Sequence, residues 1–413
     1  MLPHVPVPPK HLDAYRAAAG DEAVERFLEV ARPLKGLRLL HLNSTSFGGG
    51  VAELLFTHIG LLQDVGIDAQ WHLIEGSDDF FAITKAAHNG LQGAEVPWTR
   101  DMENTYLERV RANAHNLDTE WDVYFIHDPQ PAALRTILEQ EGRLHGTWIW
   151  RCHIDLSRTY RPVWDYFATH VEQYDAAIFT MQEFVQPGFA GPKIEAIPPS
   201  IDPLSLKNAP LDEQTVWDVV RRYGVDDTRP IVSQVSRFDP WKDPVGVIQA
   251  YRIAKEEIPE LQLVMVASMA SDDPEGWHYL RVTEDAAAGD PDVHLLTNLQ
   301  EVGNLEVNAF QRASRVVMQK SLREGFGLVV SEAMWKEKPV IGGAVGGITL
   351  QIEDGVSGYL VDSVEGCAKR LVELLHDPEL GEQLGRTARE RVRDRFLTLR
   401  ELEDYLRLIA SLQ

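Results

Sequence analysis

Two glutamates separated by seven residues, Glu324 and Glu332, lie in the segment REGFGLVVSEAM (323–334), with Gly325, Phe326, Gly327 and Leu328 between them. The glycines open a helix, so Glu324 sits just before it and Glu332 about a turn and a half inside it. One carboxylate can then meet a sugar-like polyol while the other reaches a ribose diol. The first N–H groups of the helix, at residues 326 to 329, face any phosphate between the two. A lone Glu-x7-Glu recurs by chance; the enclosed Gly-Phe-Gly and the following KPVIGGAVGG (338–347), a second strand–glycine–helix pattern, narrow the reading. Upstream, SRFDPWK (236–242) follows the apolar run Pro230 to Val235, which puts Arg237 and Lys242 at the carboxyl edge of a sheet, where open α/β folds bind ligands. Two cations there can grip a diphosphate and stabilise it as a leaving group. In the first half, NSTSFGGG (43–50) follows the run Leu37 to Leu42 and precedes Val51, Leu54, Leu55, Ile59 and Leu62 at helical spacing. Such a turn lets Gly49, Gly50 and their neighbours approach an anion at a helix start, although a tight structural turn explains it equally well.

Positioning these residues requires parallel strands with crossover helices, and short apolar runs do alternate with amphipathic stretches along most of the chain. The strand candidates are Leu37–Leu42, Ala69–Ile74, Asp122–His127, Thr147–Cys152, Ala176–Thr180 and Ile194–Ile197, then Pro230–Val235, Leu261–Val266, Val293–Leu296, Arg315–Gln319, Pro339–Gly342 and Gly358–Val361. They predict an α/β chain of two doubly wound Rossmann-like domains. IPPSIDPLSLKNAPL (197–211) breaks both periodicities with four prolines and reads as the hinge, dividing a domain over 1–205 from one over 206–390. The stretch 391–413 reads as one amphipathic helix, with Phe396, Leu399, Leu402, Leu406 and Ile409 as its stripe, able to return to the first domain.

A chain of 413 residues suits two domains, and 44% hydrophobic with 25% charged residues is ordinary globular composition. A formal charge of −23 repels nucleic acid and anionic membranes, so a phosphate-bearing ligand needs a local basic pocket. Cys152 and Cys367 have no metal-like pairing, and no run of apolar residues suits a signal peptide or a membrane span. A cytoplasmic protein is expected. No Asp-x-Asp follows a strand, and Asp272-Asp273-Pro274 reads as a turn, so no metal site is expected and Mg²⁺ stimulates in solution at most.

Taken together, these segments resemble the retaining family 4 glycosyltransferases, whose signature is this glutamate pair with a preceding Arg and Lys. The blocks HLNSTSFGGGVAELL, WHLIEG, HDPQPAAL, WRCHIDLS, PPSIDPLS, QVSRFDPWK, DDPEGW and VNAFQRAS are similar to the trehalose glycosyltransferring branch of that family, and the likeness spans nearly the whole chain. The resemblance implies a GT-B fold, two Rossmann-like domains facing a central cleft. It further implies transfer of glucose from ADP-, UDP- or GDP-glucose to free glucose, giving α,α-trehalose with retention, no tightly bound cofactor, and a homodimer. Glu324 inherits the contact to the donor sugar, Glu332 the ribose, Arg237 and Lys242 the diphosphate, and His153 the donor hexose near its reacting face. Asp128, in HDPQP (127–131), and Asn43 and Glu53, beside the glycine turn, become acceptor-side candidates; capping a turn, capping a strand end and solvating a helix are their alternatives. A trehalose phosphorylase, which uses inorganic phosphate, is the nearest competing enzyme. A sugar-nucleotide-binding regulator and a dinucleotide-dependent oxidoreductase are the competitors from other classes; the second is weakened by the absence of a spaced Gly-x-Gly-x-x-Gly.

Overall fold

A computed structural model describes residues 1–47, 49–269 and 274–413. The readings of Gly48 and of Asp272-Asp273 lie outside the described residues. Among the described residues there are twelve strands: β1 (Arg38–Asn43), β2 (Asp68–Leu73), β3 (Val123–His127), β4 (Thr147–Arg151), β5 (Ala176–Phe179), β6 (Lys193–Ala196), β7 (Ile231–Val235), β8 (Gln262–Ala267), β9 (Val293–Thr297), β10 (Val316–Gln319), β11 (Val340–Gly343) and β12 (Tyr359–Val361). They form two six-stranded parallel sheets, ordered β2-β1-β3-β4-β5-β6 and β12-β11-β10-β7-β8-β9.

Central strands are buried on both faces, as β3 (VYFIH) and β8 (QLVMVA) are along their whole lengths. This is why they read as continuous apolar runs and not as alternating ones. Successive side chains still go to opposite sides. In the second sheet Val232, Leu263, Met265 and Met318 enter one core, while Ile231, Val264 and Val266 enter the other. Each such buried aliphatic side chain contributes about 1.5–3 kcal/mol.

The chain divides into two compact units: unit 1 is Met1–Pro199 with Thr398–Gln413, and unit 2 is Ser200–Leu397. The proline-rich segment carries no helix or named strand between Ala196 and Glu213. Its unit 2 part is not slack. Asn308 Nδ2 donates to the carbonyls of Leu206 and Ala209 (both 2.9 Å), and Lys336 Nζ donates to Asn208 Oδ1 (2.9 Å).

One expectation needs correction. The stretch 391–413 is not a single helix: Pro378–Arg395 ends at Phe396 (φ −131°), and a second helix, Thr398–Leu412, begins after Leu397. The carbonyl of Phe396 accepts the N–H of Ile201 (2.8 Å), a tertiary bond that the unbroken apolar stripe conceals. The last helix packs in unit 1 against Asp21–Ala31, and Arg400 donates to the carbonyl of Pro198 (2.6 Å).

Candidate functional site

In unit 2 the strand order reverses around β7, which pairs with β8 on one side and β10 on the other. The loops after β7, β10 and β11 therefore emerge side by side at one sheet edge, the usual ligand position of this topology. Asp239 organises the first loop. It caps a short 3₁₀ turn, Pro240–Lys242, by accepting the N–H groups of Trp241 (2.9 Å) and Lys242 (3.1 Å), and its other oxygen lies 3.3 Å from Arg237. Arg237 is otherwise half-exposed. The loop after β10 is stitched to this turn. Leu322 donates to the carbonyl of Trp241 (2.7 Å), the guanidinium of Arg323 lies over the Trp241 ring at 4.8 Å, and Lys320 pairs with Asp243.

That stitching brings Lys242 and Glu324 together. Lys242 Nζ lies 2.6 Å from Glu324 Oε2, which also accepts the Ser321 hydroxyl (3.2 Å), and both partners are largely buried. The chain then turns at Gly327, whose φ of +81° would strain any residue with a side chain and where a Cβ would press on the Glu324 side chain at 3.0 Å. Gly327 is also the N-cap of the helix Leu328–Trp335 and supplies no capping side chain, so the helix start is left to other acceptors. Gly325 and Phe326 precede it, and Leu328 is its first residue.

A second set of residues holds this turn in place; the sequence signals the glycine-rich segment 338–347 but not this role, and it gives no signal for Gln351. A Cβ on Gly347 would lie 2.5 Å from the Gly325 carbonyl oxygen and from Phe326 Cα, and one on Gly343 would lie 2.2 Å from the Ser321 carbonyl oxygen. The second glycine-rich segment is thus a buttress for the first. Fully buried Gln351 donates to the Phe326 carbonyl (2.5 Å) and accepts from the Ser331 hydroxyl (2.6 Å). Glu332, in the second turn of the helix, is also buried. Its Oε1 faces Lys207 at 3.7 Å, its Oε2 has no hydrogen-bond partner, and its own carbonyl accepts from Lys336 (2.9 Å). Burial pushes the Lys336 ammonium down to about 7.

In unit 1 the order reverses around β1, which pairs with β2 and β3. Asn43 ends β1, Asp128 follows β3 and His153 follows β4, so the three lie at the same edge of neighbouring strands. Asn43 is buried and both ends of its amide are engaged: Oδ1 accepts from Trp71 Nε1 and Nδ2 donates to the Thr45 carbonyl, both at 2.7 Å. Asp128 adopts φ +62°, uncommon for a residue with a side chain, and its Oδ1 accepts the backbone N–H of His153 (2.8 Å). Burial pushes its carboxyl up to about 6 against the opposing effect of that bond. Gly49 is the extended, exposed N-cap of the helix Gly50–Asp64, where no side chain caps the start and a Cβ would meet nothing within 4 Å. Glu53 is exposed on the first turn of that helix.

His153 belongs to a line of three histidines that sequence reading does not reveal. Its Nε2 lies 3.0 Å from His127 Nδ1, and His127 Nε2 lies 3.0 Å from His41 Nδ1. Among the described residues no group of three or more His, Cys, Asp or Glu side chains is placed to hold a metal ion, and no helix is long and apolar enough to cross a membrane. Both cysteines are buried and unbridged, and burial raises both thiols.

Residues 41–186 match the family described as "Trehalose synthase, N-terminal domain", and residues 216–391 match "Glycosyl transferases group 1". The chain is 49% identical to a trehalose synthase of Rubrobacter xylanophilus, covering 100% of this chain and 99% of that protein. It is 27% identical to a trehalose phosphorylase of Grifola frondosa over 94% of this chain and 59% of that protein. Among solved structures, the α,α-trehalose 6-phosphate synthase of Burkholderia multivorans superposes with a TM-score of 0.73 at 16% identity, covering 91% of this chain and 99% of that one. The two Rossmann-like units are those of the GT-B fold.

Proposed function

The chain belongs to the trehalose synthase family of glycosyltransferases, and from that membership we propose that it transfers glucose from a nucleoside-diphosphate glucose to free glucose with retention, forming α,α-trehalose. The observation that carries the reading is the Lys242–Glu324 pair at 2.6 Å beside the uncapped start of the helix Leu328–Trp335. A cation and the positive end of a helix suit a departing diphosphate, and the adjacent carboxylate suits the hydroxyls of the sugar it leaves.

In this reading Lys242, Arg237 and the N–H groups of Phe326 to Leu328 take the diphosphate, Glu324 takes the donor sugar, and Glu332, through its unpartnered Oε2, takes the ribose. In unit 1, His153 contacts the donor hexose and the start of the helix at Gly49 and Gly50 takes an anionic part of the donor. Asp128, Asn43 and Glu53 serve the acceptor, and Asn43 also braces the turn between β1 and the helix that carries Glu53. The bond from C1 to the phosphate oxygen breaks as an acceptor hydroxyl attacks from the same face. The acceptor proton passes to the departing phosphate oxygen, so no dedicated base is assigned. Mg²⁺ stimulation, where it occurs, acts on the free nucleotide, and the buried thiols suit a reducing cytosol.

Incubation with ADP-, UDP- and GDP-[¹⁴C]glucose and a panel of free sugars tests the proposal. Labelled trehalose formed only with nucleotide donor and free glucose is the expected result. The 27% likeness to a trehalose phosphorylase supplies the competing reading. Release of glucose 1-phosphate from trehalose and inorganic phosphate, with no nucleotide requirement, would replace it.

A further inference from the structure

The three histidines of unit 1 lie on or just beyond neighbouring strands of one sheet. His41 is on β1, His127 on β3, and His153 lies two residues beyond Arg151, the register partner of His127 on β4. Their rings stack in sequence, with centroids 5.3 Å apart in both pairs and interplanar angles of 22° and 17°. His41 also stacks on Phe125 at 4.9 Å. His41 and His127 are buried, and His153 at the outer end is partly exposed.

A nitrogen–nitrogen contact of 3.0 Å between imidazoles needs one N–H and one lone pair. A neutral ring has only one N–H, so the direction of the first bond dictates the second, and two arrangements satisfy both. In the inward one, His153 donates to His127 and His127 to His41, leaving an N–H on His41 Nε2. In the outward one, His41 donates from Nδ1 to His127, His127 donates from Nδ1 to His153 Nε2, and the N–H left over is on His153 Nδ1. His41 Nε2 is buried and has no partner. A buried orphan N–H is rarer and costlier than a buried lone pair without a donor, so the outward arrangement wins. Neutrality of the rings is supported by burial, which pushes His41 down to about 3 and lowers His127 and His153 well below the usual imidazole range. The titratable and charged groups on neighbouring elements are Arg151 on β4, His58 on the helix Gly50–Asp64 and Glu401 on the helix Thr398–Leu412. Arg151 and His58 act in the same direction on His127 and His153, while Glu401 opposes them at His153.

We propose that His41 and His127 are positioning residues that lock His153 as the Nδ1–H tautomer, making it a fixed hydrogen-bond donor to a sugar oxygen and not a base. The sugar contact rests on the assignment of His153 under Proposed function; the tautomer lock does not.

Long-range ¹H–¹⁵N NMR of the full chain with ¹⁵N-histidine reads the tautomers directly. The expected wild-type spectrum has Nδ1 protonated in all three rings and unchanged between pH 8 and pH 5; Nε2–H on His153, or titration of its ring in that range, overturns the inference. His127→Phe removes the relay, and the single N–H of His153 is expected to redistribute between Nδ1 and Nε2, with a loss of about tenfold in donor kcat/KM, the fold-change of one lost hydrogen bond. His127→Gln, whose amide can accept from His41 and donate to His153, should restore both readouts. The wild-type spectrum still decides if the Phe variant fails to fold. A tautomer lost as expected while His153→Ala retains full activity supports the lock and overturns only the sugar assignment; a His153 spectrum unchanged in His127→Phe overturns the lock itself.

Discussion

At the scale of single residues, the site in unit 2 is a set of ion pairs that a ligand must share. Lys242 is paired with Glu324 and Arg237 with Asp239, so neither cation stands alone in a protein of formal charge −23. Replacing Glu324 with Ala is expected to abolish transfer in a variant that still folds, with some loss of stability because the largely buried Lys242 is left without its carboxylate partner. Full activity in a folded variant would remove Glu324 from the donor site. Lys242→Ala is expected to lower kcat on the order of 10²–10³, because charge on the diphosphate grows as it departs. A change confined to the donor KM would make Lys242 a ground-state anchor.

Elements determine whether those residues meet, and two glycines separate packing from ligand approach. Gly347→Ala drives a Cβ against the backbone of Gly325 and Phe326, so it should displace the turn before the helix Leu328–Trp335, costing about 1–3 kcal/mol and most of the activity. Gly49→Ala meets no protein atom within 4 Å at an extended backbone, so stability should be unchanged. A raised donor KM in Gly49→Ala is the expected result, and unaltered kinetics would mean that no ligand approaches this turn closely. The helix Thr398–Leu412 offers a third test. Its buried Glu401 lies 3.4 Å from His58 Nε2 and 3.9 Å from Arg151, itself fully buried with three unpartnered nitrogens. Glu401→Leu should cost unit 1 about 3–5 kcal/mol, measured by denaturant unfolding, because it strands a buried guanidinium. A loss below 1 kcal/mol, roughly that of a surface pair, would show that the cluster is solvated.

For the whole molecule the same groups predict an acid limit. His41, His127 and His153 stay neutral in the fold but gain protons once unfolded, so stability should fall as pH drops below about 6.5, by about 1.4 kcal/mol per pH unit for each ring. Glu401 adds to this below its ordinary range: burial acts to raise its carboxyl, but His58 and Arg151 hold it well below that range. Asp128 works the other way, since its carboxyl is raised to about 6 and its contribution grows as pH falls from 6 toward 4. Relief of repulsion among 63 acidic residues also opposes the histidines. The difference between the parent and His127→Gln isolates one ring: the variant's stability should fall less steeply between pH 6.5 and 5. Parallel curves would show that His127 is protonated in the fold.

Much of this was legible in the amino-acid order. Every strand candidate from Leu37–Leu42 to Gly358–Val361 has a counterpart displaced by about a residue at its ends, because strands buried on both faces need unbroken apolar runs that composition alone reveals. The loops after β1, β7 and β10 were visible as well, since glycine turns and cations after such runs are local signals. Tertiary structure decided what those signals touch. The break at Phe396 depends on an N–H contributed by Ile201, far away in the chain, and the stripe across it is continuous. Gly343, Gly347 and Gln351 support the Glu324 turn only because β11 pairs with β10, and the histidine line exists only because β1, β3 and β4 are neighbours in the sheet. Strand order is set by packing between segments distant in sequence, so contacts across it, Lys242 with Glu324 among them, are written in the fold and not in any local pattern.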